Sequence, residues 1–209
     1  MAYQLLVLSP ATPPVVQHFI QEQVDMQFHD IHCMLRLPLL ERDLGAGCNF
    51  AAANVLLAIV SGLSALLTKK LETSRKSGRL FRRILLEYYP WDVQPPHTSA
   101  IERSVDHLYE FFRNPLVHSL GIKIKGNFQV AIAKDSLPEV EIEKLERLTV
   151  PPGPAMVYKP ITINNEQIER ITLVVPHFYW GVREMVKRLS EDALQMQKTE
   201  TALKSAGMA

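Results

Sequence analysis

The stretch Phe50-Ala51-Ala52-Ala53-Asn54-Val55-Leu56-Leu57-Ala58-Ile59-Val60-Ser61-Gly62-Leu63-Ser64-Ala65-Leu66-Leu67 decides the fold, because it runs without a charge between Glu41-Arg42-Asp43 and Lys69-Lys70. Such a run is either a membrane span or a helix enclosed by protein. Asn54, Ser61, Ser64 and the consecutive alanines favour the second reading, a central helix from about Cys48 to Leu71 opened by the turn Gly45-Ala46-Gly47. Ala51, Asn54, Ala58, Ser61, Ala65 and Thr68 recur at alternating spacings of three and four, a seam of small or polar residues along an otherwise bulky helix. A seam of this kind lets another helix approach closely, from this chain or a symmetric partner. Alanine's strength as a helix former gives the blander account of the same residues.

Outward from that helix, Val16, Ile20, Val24, Phe28, Ile31 and Leu35 repeat at helical spacing between Val15 and Leu37 and predict a first amphipathic helix. A third is expected over Leu80–Tyr89, stopped by Pro90. A fourth starts near Ser99, with Ile101, Val105, Leu108 and Phe112 as its apolar stripe and Thr98 or Ser99 as cap. From Gly126 the period changes. Phe128, Val130 and Ile132 alternate with smaller or polar residues, and 157–163 is β-branched, with Pro160 suited to an edge strand. These two segments are expected to pair as an antiparallel hairpin inserted at 126–163. Val140–Leu145 reads as strand or helix, and a last helix starts at Asn165 or near Pro176 and ends about Leu194, before a polar tail. The fold class expected is mainly α, one domain over 1–209, a bundle of about five helices with a small β appendage between residues 126 and 163.

A chain of 209 residues that is 47% hydrophobic can bury a core without disulfide or metal staples. Its 23 basic and 22 acidic side chains leave a net charge of +1, so any nucleic-acid contact must be a local patch. Cys33 and Cys48 fit neither a disulfide framework nor a zinc site, and no basic leader precedes the apolar Tyr3–Leu8. Together these point to the cytoplasm and to no membrane.

One segment carries chemistry: Arg113-Asn114-Pro115-Leu116-Val117-His118. Asparagine followed by proline is a good helix start, which predicts that the fourth helix ends near Phe112 and a new turn begins at Asn114. Arginine offers phosphate a fixed fork of donors, and a histidine titrating near ~6.5 can take or give a proton at neutral pH, so the pair can act on a phosphodiester without a metal. A helix-surface arginine and a hydrogen-bonded core histidine are the structural alternatives.

An arginine, then a polar residue, then a histidine separated from the arginine by a short stretch, all set in a helical bundle, resembles the signature of the HEPN superfamily of RNA-cleaving and RNA-binding helical domains. The resemblance covers roughly Val15 to Leu120 and the closing helix after Asn165; the 126–163 stretch departs from a minimal HEPN bundle. It implies a metal-independent endoribonuclease in which Arg113 stabilises the phosphorane, Asn114 positions phosphate or His118, and His118 is general base or acid. It also implies a homodimer, RNA as partner, no cofactor, and a toxin or defence role that can involve a neutralising protein. A non-catalytic module binding RNA, a nucleotide or a protein is the alternative. Asp106 and Glu110 either orient Arg113 or are ordinary surface charges.

Lys69, Lys70, Arg75, Lys76, Arg79, Arg82 and Arg83 form the densest basic run, opposed in sequence only by Glu72, and either track RNA phosphates or decorate a solvated corner. Asp25, His29, His32 and Cys33 have spacings compatible with metal ligation, but Asp25, His29 and His32 lie opposite the apolar stripe, where polar groups need no special explanation. No metal is expected. Gly45–Phe50 lacks the third glycine of a dinucleotide fingerprint, and no P-loop, nucleophile elbow or zinc-protease helix is present.

Overall fold

The computed structural model describes residues 3–41, 48–68, 77–115, 127–133 and 139–208. Helix α1 opens on Pro14 after Pro13, a residue pre-set for the first helical position, and comprises an α-helical segment Pro14–Phe19, a π-helical segment Ile20–Asp25 and an α-helix Met26–Leu40. Helix α2 spans Asn49–Ala65 and α3 spans Ser77–Tyr88. Helix α4 joins Ile101–His107 to a second π-helical segment, Leu108–Arg113. After strand β1 (Phe128–Ala133) come the short α5 (Glu139–Ile142), a 3-10 turn at Leu145–Arg147, and strands β2 (Met156–Ile163) and β3 (Glu166–Val174). Helices α6 (Val175–Glu191) and α7 (Ala193–Ser205) close the chain; the Asp192 carboxylate between them caps α7 by accepting from Gln195 N at 2.9 Å.

The core is shared by the long helices: Phe28 of α1, Leu56 and Leu57 of α2, Phe81 of α3, Phe112 of α4, and Phe178 and Tyr179 of α6 are fully buried in one cluster. The mainly helical class with a small sheet is as the sequence predicts. Several details differ. The expected polar tail forms α7, whose Met196, Thr199, Ala202 and Leu203 are buried at helical spacing. Helix α2 is not enclosed all round: Ala51, Asn54 and Ala58 of the small seam are exposed, and Ser61 and Ala65 are half-buried. Among the described residues no helix is long and apolar enough to cross a membrane.

The β structure runs past the expected 126–163 to Val174, and its order is β1-β3-β2. β2 and β3 form the hairpin, turned at Asn164 and Asn165, both at positive φ (51° and 65°), as the tight turns between twisted strands require. β1 pairs with β3 in parallel and never meets β2, so the expected antiparallel pairing of 128–132 with 157–163 is corrected. Pro160 lies on the edge strand β2, where its missing N–H costs no ladder bond to a further strand. The sheet's inner face packs on α4, with Phe128 and Tyr158 against His107 at ring separations of 5.5 and 5.7 Å.

Candidate functional site

Arg113 ends the π-helical segment of α4, and the helix does not break where the sequence predicts. Asn114 keeps helical dihedrals (φ −67°, ψ −49°), and its N–H reaches back to Tyr109 O. The reason lies one residue on: Pro115 has no N–H to give, and in an α-helix its ring would collide with the carbonyl four residues back. A wider turn before the proline moves that carbonyl away, and π turns of this sort recur at functional sites.

The guanidinium of Arg113 is held by its neighbours. Its Nη1 donates to Asn114 Oδ1 at 3.1 Å and its Nε to Ser61 Oγ at 3.4 Å, while Ser61 itself donates to Leu57 O at 2.7 Å. Ser61, Gly62, Ser64 and Ala65 of α2, Ser77 and Leu80 of α3, and Arg113 line a cavity of about 260 Å³. The lower half of the small seam is therefore a cavity wall, where small side chains leave room beside a cation and three hydroxyls. The arrangement suits an anionic oxygen group.

Tyr109 supports the arginine from one side. Its ring lies 5.6 Å from the Arg113 guanidinium and 4.5 Å from that of Arg82. Glycine at 78 leaves room for the outer end of this ring, which a Cβ there would meet at 2.7 Å.

His118 lies outside the described residues, as do Lys69, Lys70, Arg75 and Lys76 of the basic run. Arg79 of α3 is exposed. Arg82 forms ion pairs with Asp106 and Glu110, and Arg83 with Glu87 at 2.9 Å. Asp106 and Glu110 are thus exposed helix-surface charges that engage Arg82, and Arg82 and Arg83 are opposed by carboxylates that lie one helix or one turn away rather than within the run.

A second polar cluster, which the sequence did not reveal as one, sits under the N-terminal segment. Asp25, 2% exposed, accepts from Leu6 N at 3.2 and 3.3 Å and from the Tyr3 hydroxyl, and the Arg183 guanidinium lies 3.7 Å away. Arg183 also donates to Gln4 O at 2.8 Å and lies over the rings of Tyr3, Phe28 and Tyr179. Beside it Glu146 Oε1 accepts from His32 Nδ1 and from the Tyr179 hydroxyl, both at 2.8 Å, while Arg36 donates to His32 Nε2 at 3.1 Å. Burial alone would raise the Glu146 pKa, but the hydrogen bonds from His32 and Tyr179 outweigh it and hold the carboxyl below its ordinary value. Asp25 and His32 thus belong to buried networks rather than to an open polar face, and Cys33 is exposed. Among the described residues no group of three or more His, Cys, Asp or Glu side chains is placed to hold a metal ion.

The sequence missed Ser64, Ser77 and Tyr109. Ser61 was visible as a member of the seam, but nothing local tied it to Arg113. Comparisons of the chain with family models, with curated proteins and with solved structures find no match, so the site's own geometry carries the functional reading.

Proposed function

We propose that the chain is a metal-independent endoribonuclease of the HEPN type, acting through Arg113, Asn114 and His118. The observation that carries this reading is the placement of Arg113: a guanidinium steadied by Asn114 and Ser61 in the wall of a small cavity that three serines also border. A phosphate oxygen entering there meets a fixed fork of donors. Charge developing on the phosphorane is then met by donors already in position, which is where electrostatic catalysis draws its strength. His118, a short way along the chain from Pro115, takes the proton from an RNA 2′-hydroxyl as its oxygen bonds to phosphorus. The P–O5′ bond breaks, the 5′-oxygen receives a proton, and a 2′,3′-cyclic phosphate remains. Two copies related by the exposed upper seam of α2 form the working dimer, with RNA as substrate.

The same anchored arginine suits simple capture of a phosphate group, so a non-catalytic RNA- or nucleotide-binding module is the second reading. Mixed RNA incubated with the protein in EDTA separates them. Cleavage to 2′,3′-cyclic ends that survives chelation, and falls by about 100-fold or more in both Arg113→Ala and His118→Ala, is the expected result. RNA that stays intact but bound assigns the module instead.

A further inference from the structure

Strand register places Lys159 of β2 directly opposite Arg170 of β3, and both side chains are exposed. Their chain neighbours Tyr158 and Ile171 are buried, so strand alternation turns the two cations onto the sheet face away from the helices. Their diagonal neighbours on that face are Val157, Ile161, Ile168 and Thr172, all uncharged. Arg170 Nε donates to the neutral Gln129 Oε1 at 2.7 Å, and among the described residues no carboxylate pairs with either cation. Six other arginines, Arg36, Arg82, Arg83, Arg103, Arg183 and Arg188, each face a carboxylate.

Like charges directly opposite on a sheet destabilise it, and an anion seated between them removes the penalty. Arginine's planar fork and lysine's mobile ammonium, side by side, suit the unesterified oxygens of a phosphodiester. Apolar β-branched flanks and the absence of an aromatic ring among these neighbours point to backbone tracking rather than base stacking. We infer that the outer face of the sheet is a second contact for single-stranded RNA, holding its sugar-phosphate backbone through Lys159 and Arg170. The inference extends the RNA reading of the Arg113 pocket, since the sheet packs on the helix that ends at that residue.

The test measures binding of a mixed-sequence RNA of about 20 nucleotides by fluorescence anisotropy in EDTA, between about 50 and 200 mM salt, in an Arg113→Ala background that leaves the strand intact. Lys159→Gln with Arg170→Gln is expected to weaken binding about tenfold at low salt. It also makes the dependence of log K on log salt shallower by about 1.4, from roughly 0.7 for each phosphate no longer neutralised. Lys159→Glu places an opposite charge beside Arg170, keeps the hairpin folded, and lowers affinity at least as much. Unchanged affinity and slope in both variants overturn the inference, as does wild-type protein that binds no RNA. An equal loss of poly-glutamate binding overturns it in favour of an acidic protein partner. If the slope changes but the wild-type chain does not cleave, the nuclease reading falls and the surface stands; cleavage with an unchanged slope does the reverse.

Discussion

Two π-helical segments, Ile20–Asp25 and Leu108–Arg113, each end on a charged residue, and the two ends are used in opposite ways. At the first, Asp25 is sealed: Tyr3, Leu6 and Arg183 surround the carboxylate, and their bonds tie the N-terminal segment to α1 and α6. At the second, Arg113 is half-buried and borders a cavity walled by small and hydroxyl side chains. The same local device places one charge where it finishes the fold and another beside an open cavity. A buried pair is strongly missed when one partner goes, because the other remains desolvated and unmatched. A half-exposed arginine is missed far less by the fold and far more by whatever enters the cavity.

Substitution of Arg183 should cost the fold most. Arg183→Ala leaves Asp25 buried without its cation and is expected to cost about 3–5 kcal/mol in urea unfolding, with the N-terminal segment released. The next effect is pH-dependent. Burial, aided by the nearby Arg103, lowers the His107 pKa from 6.5 to about 4. The folded state therefore binds the proton less readily than the unfolded chain, and stability is full above about pH 6.5 and declines towards pH 4. The ceiling on that loss is about 3 kcal/mol. His107→Phe, which keeps the ring contacts and removes the titration, should flatten this part of the stability profile relative to wild type. Gly181→Ala comes third: a Cβ at 181 would meet the Tyr89 hydroxyl at 2.1 Å, and this ring is buried, so about 1–3 kcal/mol of stability is lost in thermal melts. The smallest stability change sharpens the contrast. Gly78→Ala displaces only the outer end of the Tyr109 ring and should cost about 1 kcal/mol or less, yet lower RNA cleavage by loosening the support under Arg113.

Helix α2 was legible because an uncharged apolar run has few folded destinations, and α1 because its stripe repeats over several turns. β3 was not: Glu166, Gln167, Glu169 and Arg170 make its first half polar, and only the inward Ile171 and Leu173 betray a strand. Helix α7 was hidden in a similar way, its buried Met196, Ala202 and Leu203 diluted by glutamine, lysine and threonine. At the site, residue types announced Arg113 and Asn114, but the serines that complete the cavity come from two other helices. No spacing along the chain encodes that meeting. The π turn was equally unreadable, since asparagine before proline signals a helix start wherever the preceding turn is an ordinary α turn.

Arg113→Lys keeps the charge and removes the fork that Asn114 and Ser61 hold in place, so it separates a phosphate-binding guanidinium from a merely structural cation. Initial cleavage rates in EDTA and melting curves are taken on the same preparations. The expected result is a rate lower by about 100-fold with a melting temperature within about 2 °C of wild type. An unchanged rate, or a loss of rate matched by a melting temperature lower by about 10 °C, would show that Arg113 serves the fold rather than a phosphate.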